Sequence, residues 1–178
     1  DQSTNDTVLL LANGASGGAE INANTPSKES FVEALVYVCT TLAKDLVRDG
    51  EGAQRLIEVC FNGAKTLAEA RKGARKIAGS LLVKAMVHGR DPNWGRVMMA
   101  IGKSGIDVDE SQVDLYINDI HIVHKGVSFP YMKDAVINAM SAPEVQVRVD
   151  INAGDQNATA WGCDLTEEYV IFNSAYST

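Results

Sequence analysis

The densest group of chemically capable side chains lies at His88 to Arg96 (HGRDPNWGR), which holds one His, two Arg, one Asp, one Asn and one Trp. Such residue types on a Pro- and Gly-bearing loop fit a binding or catalytic site. They fit equally an ordered structural loop, with Arg90 and Asp91 paired and Arg96 bracing backbone carbonyls. The sequence contains Ser, His and Asp, but no G-x-S-x-G elbow, and His88 lies near Asp91 only along the chain. His121 and His124 are three apart on an expected strand. Strand side chains alternate, so the two imidazoles are expected on opposite faces and unable to chelate one ion. No Cys or His pair has zinc spacing, and no metal is expected. The segment Asn13-Gly14-Ala15-Ser16-Gly17-Gly18 follows an apolar run, as a phosphate-binding loop would. It matches neither the Walker nor the dinucleotide pattern and reads as a flexible loop. Glu51 stands between two glycines at an expected helix end, facing the negative pole of that helix. A carboxylate placed against that preference is notable, although spacing alone assigns it no task.

The elements that must position these residues read as alternating strands and helices. Thr7 to Ala12 (TVLLLA) suits a strand buried on both faces. Pro26 and Ser27 open a helix whose Phe31, Leu35, Val38, Leu42 and Leu46 form one apolar stripe, ending at Asp49-Gly50-Glu51-Gly52. Leu56 to Phe61 reads as a strand, and Thr66-Leu67-Ala68-Glu69 as a capping box opening a helix to about Gly79. Leu81 to Val87 resembles a further buried strand, and Trp94 to Ile101 a short helix. Beyond Val108 the pattern changes. Val113 to Ile117 and Ile120 to His124 flank Asn118-Asp119, a two-residue hairpin turn. Pro130 to Met140 reads as a helix. Val145, Val147, Val149 and Ile151 alternate with Gln146, Arg148 and Asp150, the mark of a strand with one wet face. Ala158 to Cys163 reads as a strand and Thr166 to Tyr176 as a helix. The fold class expected is therefore α/β (α+β), with residues 1–105 as part of a layered α/β domain and 106–178 as a ββαββ lobe.

Composition narrows the function classes. The 178 residues are 46% hydrophobic and 22% charged, enough to bury a core. A net charge of −7 argues against a nucleic-acid partner, because phosphate binding rests on clustered Lys and Arg. The basic cluster Arg71 to Lys76 is interleaved with Ala and Gly and reads as a solvated helix face. No apolar run approaches the roughly eighteen residues that span a bilayer, and the start at Asp1 has no signal-peptide pattern. Three unpaired cysteines, Cys39 in a helix and Cys60 and Cys163 in strands, are expected as buried free thiols in a reducing cytosol. The expectation is a cytoplasmic protein without membrane contact.

Several blocks together resemble one family. They are Ser3-Thr4-Asn5-Asp6-Thr7 with the following VLLLANGASG, Asp49-Gly50-Glu51-Gly52-Ala53 (DGEGA), Arg90 to Arg96 (RDPNWGR) and Trp161 to Thr178 (WGCDLTEEYVIFNSAYST). In this order they resemble the ornithine acetyltransferases, also called glutamate N-acetyltransferases, of arginine biosynthesis. The resemblance implies a layered fold of the N-terminal-nucleophile kind and a precursor that cuts itself before a threonine. The resulting α- and β-chains stay together, as an expected α2β2 assembly. That threonine takes acetyl from N-acetylornithine as an ester and passes it to glutamate, its own amine serving as base. Oxyanion donors belong to the α-chain in the family. The family's β-chain start is not found here, and Asp1 matches a position downstream of it. The resemblance thus implies no catalytic nucleophile in this chain, Thr4 and Thr7 included.

Three substrate contacts carry over by position. Glu51 matches the glutamate lining the amino-acid pocket, where a carboxylate would hold the substrate ammonium. Asn173 and Thr178 match a C-terminal pair that binds the substrate's polar end. No cofactor is implied, with acetyl-CoA possible as a substrate. The implied partners are the α-chain, the rest of the β-chain and the small substrates N-acetylornithine and glutamate.

Overall fold

The computed structural model describes residues 6–128 and 130–175. Among these residues one six-stranded sheet runs in the order β4-β3-β2-β5-β1-β6. Its strands are β1 (Leu56–Ala64), β2 (Asp114–Ile117), β3 (Ile120–His124), β4 (Val127–Ser128), β5 (Glu144–Asp150) and β6 (Gln156–Cys163). The helices are α1 (Lys28–Arg48), α2 (Leu67–Ala78), α3 (Leu81–His88), α4 (Trp94–Gly102), α5 (Lys133–Ala139) and α6 (Glu167–Ala175). β1 pairs parallel with β5 and antiparallel with β6, so the sheet is continuous across position 105.

The expected alternation sorts the two sheet faces. Ile57, Val59 and Phe61 lie beside Val145, Val147 and Val149, and all six are fully buried. Leu115 and Ile117 of β2 extend this face through their pairing with Val149 and Val147. α2 covers it: a Cβ on Gly73 would stand 2.7 Å from the Phe61 ring. The capping box forms as read, with Thr66 Oγ1 accepting from Glu69 N–H and the Glu69 carboxylate accepting from Thr66 N–H. Arg71, Lys72, Arg75 and Lys76 point outward, as a solvated face should. The opposite face of the sheet is polar and carries Glu58, Gln146, Arg148, Tyr116 and Trp161. α1 lies against this side, tied by Lys44 to Glu58 at 3.1 Å and by Arg48 to Glu144 at 2.6 Å.

Four expectations need correction. Leu81 to Val87 is helical, not extended. Ser80 caps it by accepting from Val83 N–H, and Val83, Met86 and Val87 are buried at helical spacing while Leu81 and Leu82 are exposed. A short apolar run does not by itself separate strand from helix, and the capping serine decides. Thr7 to Ala12 is irregular rather than a strand, with Val8 to Leu11 between 70% and 90% exposed. A strand buried on both faces needs neighbours, and no described strand pairs with it. The thiols are not uniformly buried: Cys163 is, Cys60 is half-buried and Cys39 is exposed. Finally, His121 and His124 lie on one face. Tyr116 pairs with His121, but Leu115 pairs with Val123, which leaves Ile122 as an extra residue in β3. This bulge breaks the alternation: Ile122 and Val123 both point into the core, and His124 returns to the side of His121.

The other helix, strand and turn readings hold within a few residues among the described residues. The hairpin turns at Asn118 and Asp119, with φ of 43° and 64°. Asn118 locks it by accepting from Gln146 N–H at 2.6 Å and donating to Ala139 O at 2.8 Å. The C-terminal segment is helical, as α6.

Candidate functional site

The loop after α1 and the helix α6 meet at one corner of the sheet. Gly52 makes the meeting possible. Its φ is +68°, and a Cβ there would come within 2.9 Å of Glu168 Cβ and Tyr169 N. Thr166 clamps the two segments, donating from Oγ1 to Gly52 O at 2.8 Å and accepting from Tyr169 N–H at 3.4 Å. Its hydroxyl therefore ties the DGEGA loop to the first turn of α6, and Thr166 is itself buried.

This junction brings two of the sequence-derived site residues together. Asn173 donates from Nδ2 to Glu51 Oε2 at 2.7 Å and to Tyr169 O at 2.9 Å. The two residues are 122 positions apart, and both side chains are exposed at the corner. An ionised carboxylate offers about four acceptor positions, so the amide leaves room for an ammonium group. Thr178 lies outside the described residues, as do Ser3, Thr4 and Asn5 of the first family block.

Beneath Glu51 and Asn173 lies a polar hub that sequence reasoning missed. The Asp164 side chain is fully buried and accepts from Gln54 N–H and Arg55 N–H at 2.8 and 2.9 Å. Its other oxygen faces Arg55 Nη1 at 3.4 Å and His88 Nδ1 at 3.3 Å. His88 Nε2 stands 3.0 Å from Glu167 Oε2. The Glu167 carboxyl lies below its usual range, chiefly because its own backbone N–H bonds it and then because of His88. Both His88 nitrogens thus face carboxylates, which is the arrangement of a structural relay rather than of a base awaiting a hydroxyl nucleophile. Nearby, Lys84 is buried and lies 3.5 Å from Cys163 Sγ. The Asp164–His88 link spans 76 residues, and only Asp164 directly after a strand hinted at it.

The His88 to Arg96 loop braces itself. Arg96 reaches Leu82 O at 3.4 Å and Asp91 at 3.7 Å, while Tyr131 donates to Pro92 O at 3.5 Å. Trp94 packs on the core, and Arg90 is exposed with φ of 51°. Asp91 thus pairs with Arg96 rather than with Arg90, while Arg96 does brace a backbone carbonyl as the structural reading expected.

Fold and corner together define a layered α/β protein of the N-terminal-nucleophile kind, presenting a carboxylate–amide pair where a loop meets its last helix. The chain superposes on a crystal structure of the arginine biosynthesis bifunctional protein ArgJ from Bacillus halodurans with a TM-score of 0.93 and 38% identity, covering 99% of this chain and 83% of that one. The ArgJ family model matches residues 1–178, and the chain belongs to the ArgJ family. It is 47% identical over 178 residues to the arginine biosynthesis bifunctional protein ArgJ of Symbiobacterium thermophilum. It is 44% identical over 181 residues to the glutamate N-acetyltransferase of Methanopyrus kandleri. All of this chain is matched in both cases, against 44% and 46% of the relatives, so the chain spans less than half their length. No helix among the described residues is long and apolar enough to cross a membrane.

Proposed function

We propose that this chain is the C-terminal part of the β-chain of a glutamate N-acetyltransferase. The enzyme moves acetyl from N-acetylornithine to glutamate through an acetyl-threonine, formed on a nucleophile outside this chain. The observation that carries the reading is the 2.7 Å bond from Asn173 to Glu51. It presets a carboxylate for a substrate ammonium and fixes it with an amide whose two N–H groups go to Glu51 and Tyr169 O, which leaves Asn173 Oδ1 as the amide's acceptor. Glu51 takes the substrate ammonium, while Asn173 and Thr178 hold its polar end. Splitting the transfer into two acyl steps lets one pocket serve ornithine and glutamate in turn.

The partner reading draws on exposed apolar surface. α1 buries none of its residues, and Phe31, Val38, Leu42 and Leu46 are each about half exposed along one stripe. Val170, Ile171 and Phe172 of α6 are exposed as well. Apolar area of this extent supports an interface with the α-chain and the rest of the β-chain, within an α2β2 assembly.

The test is acetyl transfer by the full-length protein, with N-acetylornithine as donor and glutamate as acceptor, beside a gel that reports self-cleavage. The expected result is acetylglutamate from a two-band protein, with acetyl-CoA assayed as a second donor. Release of acetate at a rate indifferent to glutamate would overturn the transferase reading in favour of a hydrolase.

A further inference from the structure

The bulge in β3 builds a second polar cluster far from Glu51. Asp114 pairs in register with Asp150, at the end of the sheet opposite to Leu56, Glu144 and Cys163. Gly50, next to Glu51, abuts Cys163 at that other end. The cluster is therefore displaced from the carboxylate–amide corner by the length of β5 and by three strands of the sheet, and the two share no residue.

We propose that Asp114, His121 and His124 form a binding site for a late first-row divalent metal ion, of which Zn²⁺ is the natural probe. One ligand atom from each residue lies within 4.8 Å of the others. His124 Nδ1 is 2.8 Å and His121 Nε2 3.4 Å from the same oxygen, Asp114 Oδ1. Bonds of about 2.0–2.2 Å to a tetrahedral ion place ligand atoms roughly 3.3–3.6 Å apart, so small side-chain adjustments suffice. Two imidazoles and one carboxylate suit zinc, nickel or copper, whereas magnesium and calcium favour oxygen ligands. A three-residue set leaves a coordination position for water or an exogenous ligand.

The surroundings orient these ligands as metal sites require. Asp114 Oδ1 accepts from Lys125 N–H at 3.0 Å, and Oδ2 accepts from Asn152 Nδ2 at 3.2 Å. Asn152 is anchored in turn on Gln112 O at 2.8 Å. The His121 ring stacks on Tyr116 at 4.1 Å and 14°, and Arg148 sits 3.7 Å from the centre of the same Tyr116 ring. Arg148 is countered by Asp150 at 3.5 Å, which limits its repulsion of a cation. Solvent reaches the cluster chiefly along His124, which is 55% exposed against 30% for His121 and 17% for Asp114. An ion bound there would cross-link β2 to both ends of β3, next to the short edge strand β4.

The experiment uses full-length protein freed of metal with a chelator, then titrated with Zn²⁺ against a chromophoric competitor. Parallel Co²⁺ spectra report coordination geometry. The expected result is one equivalent per chain that His124→Gln weakens by about ten- to a hundredfold and that His121→Ala with His124→Ala removes. Because His124 is exposed, His124→Gln keeps the fold, and circular dichroism verifies this. Wild-type protein should also show a Zn²⁺-dependent rise in Tm that His124→Gln lacks. Failure of the wild type to bind, or equal stoichiometry and affinity in the folded variants, overturns the proposal.

Discussion

Glu58 and Trp161 face each other across the β1–β6 pair, and Trp161 donates its indole N–H to Glu58 Oε2 at 2.9 Å. Gln146 donates to the other oxygen at 3.1 Å, and Lys44 of α1 approaches at 3.1 Å. Burial raises the Glu58 pKa, but the bonds from Trp161, Gln146 and Lys44 outweigh it and hold the carboxyl below its ordinary range. A depressed folded-state pKa contributes stability above the unfolded value of about 4.3, and this is lost as pH falls through the folded value. Glu58→Gln should therefore cost about 1 kcal/mol at neutral pH. Thermal melts of the full-length protein should show the gap from wild type narrowing as pH falls from about 5 towards 3. A gap independent of pH would refute the assignment.

Gly73 is the point of closest approach between α2 and the sheet. An added Cβ would stand 2.7 Å from three ring carbons of Phe61, whose side chain is fully buried. In an exposed helix Gly→Ala gains up to about 1 kcal/mol. Here overpacking, typically about 1–3 kcal/mol, should win, so Gly73→Ala destabilises. A urea midpoint equal to or above that of the wild type would show that α2 slides freely over Phe61.

Most of the sheet was legible because its signals are local. Val145, Val147 and Val149 alternate with polar neighbours, and Asn118-Asp119 marks its own turn. The Thr66–Glu69 box likewise needs only four adjacent residues. What escaped was non-local or non-periodic. α3 was misread because burial of Val83, Met86 and Val87 depends on the neighbours of the run, which its hydrophobicity does not record. The shared face of His121 and His124 depends on one unpaired residue, Ile122, and alternation has no term for a bulge. The order of the strands was equally hidden, since β1 lies between β5 and β6 from much later in the chain. At the corner, Glu51 and Asn173 were matched to site positions through resemblance, not through any spacing, and the structure adds the bond between them. Asp164, which holds the loop just after Glu51, lies inside the Trp161 to Thr178 block, but neither resemblance nor spacing gave it a task.

Asp164 is where stability and site geometry should fail together. Its buried carboxylate takes two backbone N–H groups from Gln54 and Arg55, just after the DGEGA loop, and faces Arg55 and His88. Asp164→Ala strands these donors in the interior, which should cost about 3 kcal/mol or more. Asp164→Asn keeps an acceptor for the backbone groups and should lose less. Chemical denaturation ranks the two variants. If the corner binds substrate as proposed, acetyl transfer by the full-length protein should fall in both, because the loop that carries Glu51 loses its anchor. Wild-type stability of Asp164→Ala would mean that the hub is not what holds the loop.

The pair at the corner makes a sharper demand on Asn173. Replacing its amide by a carboxylate in Asn173→Asp would set two like charges at hydrogen-bond distance, where wild-type Asn173 Nδ2 lies 2.7 Å from Glu51 Oε2. Two such carboxylates share one proton, so the pair titrates with one pKa raised. Above that value both are charged, the bond is lost and Glu51 is pushed off its position. Below it the shared proton restores a hydrogen bond. If the pair binds substrate as proposed, kcat/KM of Asn173→Asp should fall at pH 8 by at least about tenfold, near 1.4 kcal/mol. Part of the loss should return as pH is lowered towards 6. Asn173→Ala removes the bond without adding charge, so its deficit relative to wild type should stay constant over the same range. Measuring kcat/KM for both variants across that interval separates a binding pair from an incidental contact, because an incidental contact leaves Asn173→Asp at wild-type activity throughout.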